Sequence, residues 1–253
     1  MNEQFPISLV ELSETTSTND EVKRRLPWCD DKMLVVSAMC QTAGRGQKGN
    51  KWESNPRENL LYSIGIKPCF LPPRCQFLLL QAASLSICRA LNRYASGFRI
   101  KWPNDIYYGE HKISGTLIEI ELHGDSISRC VLGSGINLNQ MSFSSYPPNP
   151  ISLKMITDRH IEPNQVLSAV ISHFTSYYEL LEQKEYNAIR EQYCSMLFRR
   201  EGFHAYRDGN GVFSARLERV EPDGHLLLRD ADDHLRRYGF KEVRFVLNSL
   251  ECN

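Results

Sequence analysis

The chain has 253 residues, 42% of them hydrophobic, which suits one large globular domain or a large one with a small companion. Thirty basic residues balance thirty acidic ones, so overall charge gives no reason to expect nucleic acid or an anionic membrane as partner. No apolar run is long enough to span a bilayer, and Met1 to Pro6 lacks the basic and apolar regions of a signal peptide.

In chain order, Thr18-Asn19-Asp20-Glu21 has the capping-box pattern, with Thr18 as N-cap of a short helix that Pro27 stops. Leu34-Val35-Val36 is a compact buried strand. Residues 41–52 follow: Gln-Thr-Ala-Gly-Arg-Gly-Gln-Lys-Gly-Asn-Lys-Trp. Its glycines allow close backbone approach to a ligand, its cations suit phosphate, and Trp52 can cover a flat ring. Gly44 to Gly49 also matches a dinucleotide fingerprint by letter, but the polar, Pro-containing stretch after it cannot open the required helix. The bland alternative is a glycine-rich surface turn. Leu60 to Ile66 is a strand. Pro72-Pro73 precede a helix from about Arg74 to Tyr94, ended by Gly97.

Strands dominate from Phe98 to Leu138. Lys101-Trp102-Pro103-Asn104-Asp105 predicts a tight turn that aims Lys101, Asn104 and Asp105 at one point, with a carboxylate suited to Mg²⁺ beside phosphates. A plain hairpin turn is the alternative. Thr116 to Leu122 alternates, placing Ile118, Ile120 and Leu122 on one face. After the Gly124-Asp125 turn, Ile127 to Leu132 returns. Gly133-Ser134-Gly135-Ile136-Asn137 then interrupts that strand, either as a β-bulge or to admit a ligand. A half-solvated hairpin implies a mixed or antiparallel sheet. Ser142 to Pro150 is a loop. Pro163 opens an amphipathic helix over Gln165 to Leu181, and Glu185 to Met196 forms another. From Gly202, five short alternating runs separated by turns predict a small β-barrel, with a boundary near 197–201. The eight cysteines form no C-x-x-C pair and read as reduced structural residues of a cytosolic protein. The histidines show no zinc spacing.

The ordered set Ser17-Thr18-Asn19, residues 41–46, Lys51-Trp52, residues 101–105, Lys112-x-x-Gly115 and residues 133–137 resembles the biotin protein ligases. The resemblance covers roughly residues 10–195, and the C-terminal segment is similar to the family's small SH3-like domain. It implies an α+β fold: a mixed, largely antiparallel sheet packed with helices, class II synthetase-like, over residues 1–198, with an SH3-like β domain at 199–253. It implies a cytoplasmic enzyme that makes biotinyl-5′-AMP from biotin and MgATP. The biotin then passes to a lysine of a biotin carboxyl carrier protein domain, such as that of acetyl-CoA carboxylase. Carried over residue by residue, the resemblance puts Ser17, Thr18, Asn19, Gln41, Gly44, Arg45, Gly46, Gln47, Lys112, Gly115 and Gly133 around biotin. It puts Arg45, Lys48, Gly49, Trp52, Asn104, Lys112 and Asn137 around ATP and Asp105 on Mg²⁺, and makes Arg45, Lys101 and Lys112 catalytic. Gln47 stands where relatives often carry Arg, which predicts weaker adenylate retention. The first motif begins at Ser17, which leaves no room before it for a helix-turn-helix domain; specific DNA binding is not expected, nor is a membrane partner, and the chain is expected as a monomer or homodimer. The rivals are a lipoate or octanoate ligase or transferase of the same superfamily and a non-catalytic biotin sensor.

Overall fold

The computed structural model describes residues 5–46, 51–144 and 149–247. Its first sheet has seven strands in the order β1-β2-β3-β7-β6-β5-β4. These are β1 (Ile7–Leu12), β2 (Met33–Ala38), β3 (Leu60–Ile66), β4 (Phe98–Lys101), β5 (Asp105–Tyr108), β6 (His111–His123) and β7 (Ser126–Ile136). Only β1 and β2 run parallel; every other neighbour pair is antiparallel. β1 was not foreseen. It is an edge strand with Leu9 half exposed, so its sequence lacks the dense apolar signal of β2, where every residue is buried.

The sheet is covered on both faces. Helices α2 (Phe77–Leu91), α4 (Pro163–Glu182) and α5 (Tyr186–Ser195) share one large apolar cluster with Val35, Ile64, Ile66, Leu132 and Ile136. Helix α1 (Thr18–Arg25) lies against the other face, where Val22 and Leu26 pack with Leu34, Val36 and Val131. Gly65 of β3 lets α1 approach so closely that an added Cβ would overlap Val22 Cγ1. A short α3 (Leu153–Thr157), capped by Ser152, had no counterpart in the sequence expectations.

Several local expectations need correction. Ser17, not Thr18, is the N-cap of α1, and its side chain makes no capping bond. Thr18 instead turns both its N–H and its hydroxyl to Gln41 Oε1, at 2.7 and 3.1 Å. Glu21 is drawn off by Arg24 and Arg25. Helix α2 stops at Asn92, whose side chain accepts the Gly97 N–H, so Gly97 belongs to the loop beyond it. Leu122 is 54% exposed although it pairs with the buried Ile127; it lies near the end of β6, beyond a register shift between Glu121 and Leu122. Residues 133–136 do not interrupt β7: they pair in register with β3 and β6 on either side.

The C-terminal segment forms a five-stranded antiparallel sheet, ordered β11-β10-β9-β8-β12. Its strands are β8 (His204–Asp208), β9 (Gly211–Val220), β10 (Leu226–Asp230), β11 (Leu235–Tyr238) and β12 (Arg244–Phe245). It docks on the first sheet through aromatic contacts. Phe240 meets Phe77 and Trp102, and Phe198 bridges Tyr107 and Phe245. The Trp102 indole N–H donates to the Gly224 carbonyl at 3.0 Å. All described cysteines are free thiols. Among the described residues, no helix is long and apolar enough to cross a membrane.

Candidate active site

Three glycines prepare the floor of the site. Gly133 and Gly135 are two apart on β7 and therefore face the same side, and Gly135 pairs directly with Gly115 of β6. Each leaves room for something specific. A Cβ built on Gly133 would fall on the Asn19 amide, one on Gly135 on the Trp52 indole, and one on Gly115 at 2.9 Å from Asp105 Oδ1 and 3.1 Å from Lys112 Nζ. Thus β6 and β7 give up side chains at three adjacent points so that α1, the loop after β2 and the end of β5 can meet there.

Above this floor lies a cavity of about 650 Å³. One part of its lining is neutral and polar: Ser17, Thr18, Asn19, Gln41, Thr116 and Ser134. The buried Ser63 hydroxyl links Thr18 Oγ1 and Asn19 Oδ1, at 2.7 and 2.6 Å. The rest is cationic. Arg45, Lys51, Lys101, Lys112, Lys241 and Arg244 line it, with Asp105 the one carboxylate among the described lining residues.

These cations are held differently. Lys112 pairs with Asp105 at 2.7 Å and lies 5.9 Å from the centre of the Trp52 ring. Arg45 grips both oxygens of Asp20, at 2.9 and 2.6 Å. That bond holds the Asp20 carboxyl below its ordinary range and raises the guanidinium. Lys101 stands over the Tyr107 and Phe245 rings, at 4.9 and 5.3 Å, and burial lowers its ammonium pKa while Asp105 opposes that shift. Lys51, Lys241 and Arg244 make no ion pair among the described residues. The two ends of the loop that carries Arg45 meet: Trp52 N–H donates to Gly44 O, and the backbones of Arg45 and Lys51 form an isolated antiparallel bridge.

The expected residues divide accordingly. Ser17, Thr18, Asn19, Gln41, Arg45, Gly46, Trp52, Lys101, Asn104, Asp105, Lys112, Gly115 and Gly133 all line the cavity. Gln47, Lys48 and Gly49 lie outside the described residues. Gly44 is set behind Trp52 rather than on the cavity. Asn137 is also absent from the lining; its side chain donates to the Ile151 carbonyl and its backbone joins Ile113 and Leu153. Asn104 lines the cavity but donates its amide to the Thr116 carbonyl, so it is a brace rather than a third group aimed at the Lys101–Asp105 point. Sequence reasoning missed Ser63, Tyr107, Lys241, Arg244 and Phe245. Ser63 and Tyr107 sit inside ordinary strands, and the other three reach the site only through the docking of the second sheet.

Residues 10–137 match the biotin/lipoate A/B protein ligase family. The fold is also that of solved ligases. The Aquifex aeolicus biotin protein ligase, in complex with biotin and ATP, superposes with a TM-score of 0.78 at 25% identity, covering 94% of this chain and 99% of that one. The Leishmania major biotin protein ligase with biotinyl-5-AMP gives 0.63 at 25% identity, covering 92% and 98%. By sequence, the biotin–[acetyl-CoA-carboxylase] ligase of Paracoccus denitrificans is 27% identical over 231 residues, 86% of this chain and 92% of that protein. The bifunctional ligase/repressor BirA of Bacillus spizizenii is 27% identical over 200 residues, 77% of this chain and 61% of that protein. The chain belongs to the biotin/lipoate A/B protein ligase family.

Proposed function

We infer that this chain is a biotin–protein ligase that activates biotin with ATP and passes it to a lysine of a carrier domain. One observation carries the reading: a neutral amide-and-hydroxyl pocket opens into a strongly cationic one, with Trp52 and Lys112 close together over adjacent points of the glycine floor. A ureido head is neutral and needs hydrogen bonds, which the side chains of Asn19 and Gln41 can supply. An aliphatic lipoate or octanoate tail has no use for them and would leave them unpaired.

In the first step the biotin carboxylate attacks the α-phosphorus of ATP. An acyl–phosphate bond forms and pyrophosphate leaves. Two anions must meet, so fixed cations at that point stabilise the transition state. Lys112 and Arg45 fill that role, each exchanging a carboxylate partner, Asp105 or Asp20, for substrate oxygens. Lys101, partly buried between two rings, adds a charge less screened than one in open water. Asp105 has one oxygen on Lys112 and the other without a partner among the described residues, so it suits the Mg²⁺ that accompanies ATP, together with the phosphates. Trp52 is placed for the adenine. In the second step the carrier lysine attacks the acyl carbon and AMP leaves; the same cations stabilise the departing phosphate.

We take residues 1–198 as the catalytic unit and 199–253 as the β unit that closes it. Gln47 lacks the charge of Arg, so Gln47→Arg is expected to slow adenylate release; equal release rates from the two proteins would reject that. The test of the function is pyrophosphate release from MgATP with biotin, lipoate or octanoate, followed by the mass of a carrier domain. Biotin-dependent release and a carrier heavier by one biotin are expected. Release with lipoate or octanoate alone would move the chain to the sister activity, and biotin binding without release would make it a sensor.

A further inference from the structure

Asn19 is clamped by a residue that does not itself line the cavity. Its Nδ2 donates to Glu119 Oε2 at 2.6 Å, and the other oxygen of Glu119 takes Lys23 Nζ at 2.6 Å. On its other side Asn19 Oδ1 accepts from Ser63 Oγ and lies over Gly133. Glu119 is on β6, two residues beyond Leu117, which pairs with Gly133. An ionised carboxylate can only accept hydrogen bonds. A half-turn of the Asn19 amide would therefore press oxygen against oxygen. Glu119 fixes which end of the amide is the donor and which the acceptor.

Gln41 is fixed in the complementary sense. Its Oε1 takes two donors from Thr18, which leaves Nε2 as the group offered elsewhere. The neutral pocket thus offers an oxygen at Asn19 and an N–H at Gln41, each with its identity set by a neighbour. A cyclic urea presents the matching pair, N–H groups and a carbonyl oxygen.

We propose that Glu119 is a positioning residue for acid specificity: it holds Asn19 with its oxygen as the acceptor, one lone pair taken by Ser63 and the second left for a ureido N–H. This rests on the reading of Asn19 as a contact of the biotin ureido ring. Glu119→Gln removes the constraint at nearly constant shape, because a glutamine amide can meet either end of Asn19. With the full chain and MgATP, pyrophosphate release is measured against biotin and against desthiobiotin, which keeps the ureido group and lacks the sulfur ring. The KM for both acids is expected to rise together by about tenfold, the scale of a hydrogen bond to a charged group. The KM for ATP and kcat at saturating acid stay near wild type. Lys23→Met is expected to change little, since the half-exposed Lys23 ion pair contributes little.

The coupling is the decisive readout. In the Asn19→Ala background, Glu119→Gln is expected to add nothing to the biotin KM, because Glu119 acts through Asn19. Additive effects, or equal changes in the KM for ATP, would assign Glu119 a general structural role and overturn the proposal. Calorimetric biotin binding and the melting temperature separate a weakened site from a weakened fold. If Asn19→Ala raises the biotin KM while Glu119→Gln is silent, only the role of Glu119 falls. If Asn19→Ala is itself silent, the ureido reading of Asn19 falls with it. An absence of biotin-dependent pyrophosphate release from the wild type would instead overturn the ligase reading.

Discussion

At the scale of single residues, the glycines of β7 give the sharpest test, because they sit two residues apart beneath different tenants. Gly133 accommodates Asn19, and Gly135 accommodates Trp52. Alanine at either position overfills its place by one methyl, which costs about 1–3 kcal/mol in a packed site. If the neutral pocket holds biotin and Trp52 the adenine, Gly133→Ala raises the KM for biotin and Gly135→Ala the KM for ATP, each by about tenfold or more. Steady-state pyrophosphate release measures both; the reverse pattern would exchange the two ligand assignments. Lys101 supplies a test in pH. Burial lowers its pKa in the folded chain, so between that value and the ordinary lysine value the unfolded chain holds more protons. Stability therefore rises with pH through that window, and the full penalty applies below it. Lys101→Met is expected to raise the melting temperature at neutral pH, with the gain shrinking as pH climbs toward about 10.4, the ordinary lysine value. The same variant is expected to lose activity by roughly 100-fold. A melting temperature that falls at neutral pH would show that the contacts of the ammonium with Tyr107, Phe245 and Asp105 outweigh its desolvation.

At the scale of elements, the placement of α1 matters more than its intrinsic helicity. It has eight residues, too few to be stable alone. Val22 and Leu26 hold it to β3 through the gap at Gly65, and that packing sets where Ser17, Thr18 and Asn19 stand. Gly65→Ala would strike Val22 first and is expected to destabilise the fold by about 1–3 kcal/mol, with a lower biotin affinity as α1 shifts. Urea unfolding and calorimetry measure the two; unchanged stability would mean that α1 yields freely. Gly65 also shows what a sequence reader can and cannot see. The run Leu60 to Ile66 was legible as a strand, yet nothing local says that its one glycine faces a helix. The strands other than β1, α4, α5 and the clustered motifs were readable because each combines periodicity with turn residues. The capping of α1 was misread because Gln41, 23 residues away, competes for Thr18. The apparent break at 133–137 was misread because the glycines answer to residues packed on them, not to the hydrogen-bond ladder.

At the scale of the whole molecule, the second sheet completes a site whose motifs all lie in the first. Phe245 forms one wall of the Lys101 cage, and Lys241 and Arg244 bring charge to the cavity with no carboxylate partner among the described residues. None of this was legible from the C-terminal sequence, where alternating runs and turns announce a β domain without saying what it docks against. The docking itself is specific, because the indole N–H of Trp102, within the Lys-Trp-Pro-Asn-Asp segment, finds its partner among the described residues in the carbonyl of Gly224, in the turn between β9 and β10. Two unpaired cations facing a cavity are suited to the outer phosphates of ATP, which carry most of its charge and leave as pyrophosphate. Their field is expected to act on the first step and not on the second, when those phosphates have gone. The double variant Lys241→Ala/Arg244→Ala is expected to raise the KM for ATP by about tenfold and to steepen no other constant, since each exposed charge contributes modestly. The effect should shrink at high salt, where exposed charges are screened. Transfer from synthetic biotinyl-5′-AMP to a carrier domain separates the steps. Unimpaired transfer beside weakened adenylation is the expected result. Equal loss in both would assign the two residues to carrier docking, the other task open to a basic edge at the mouth of this cavity.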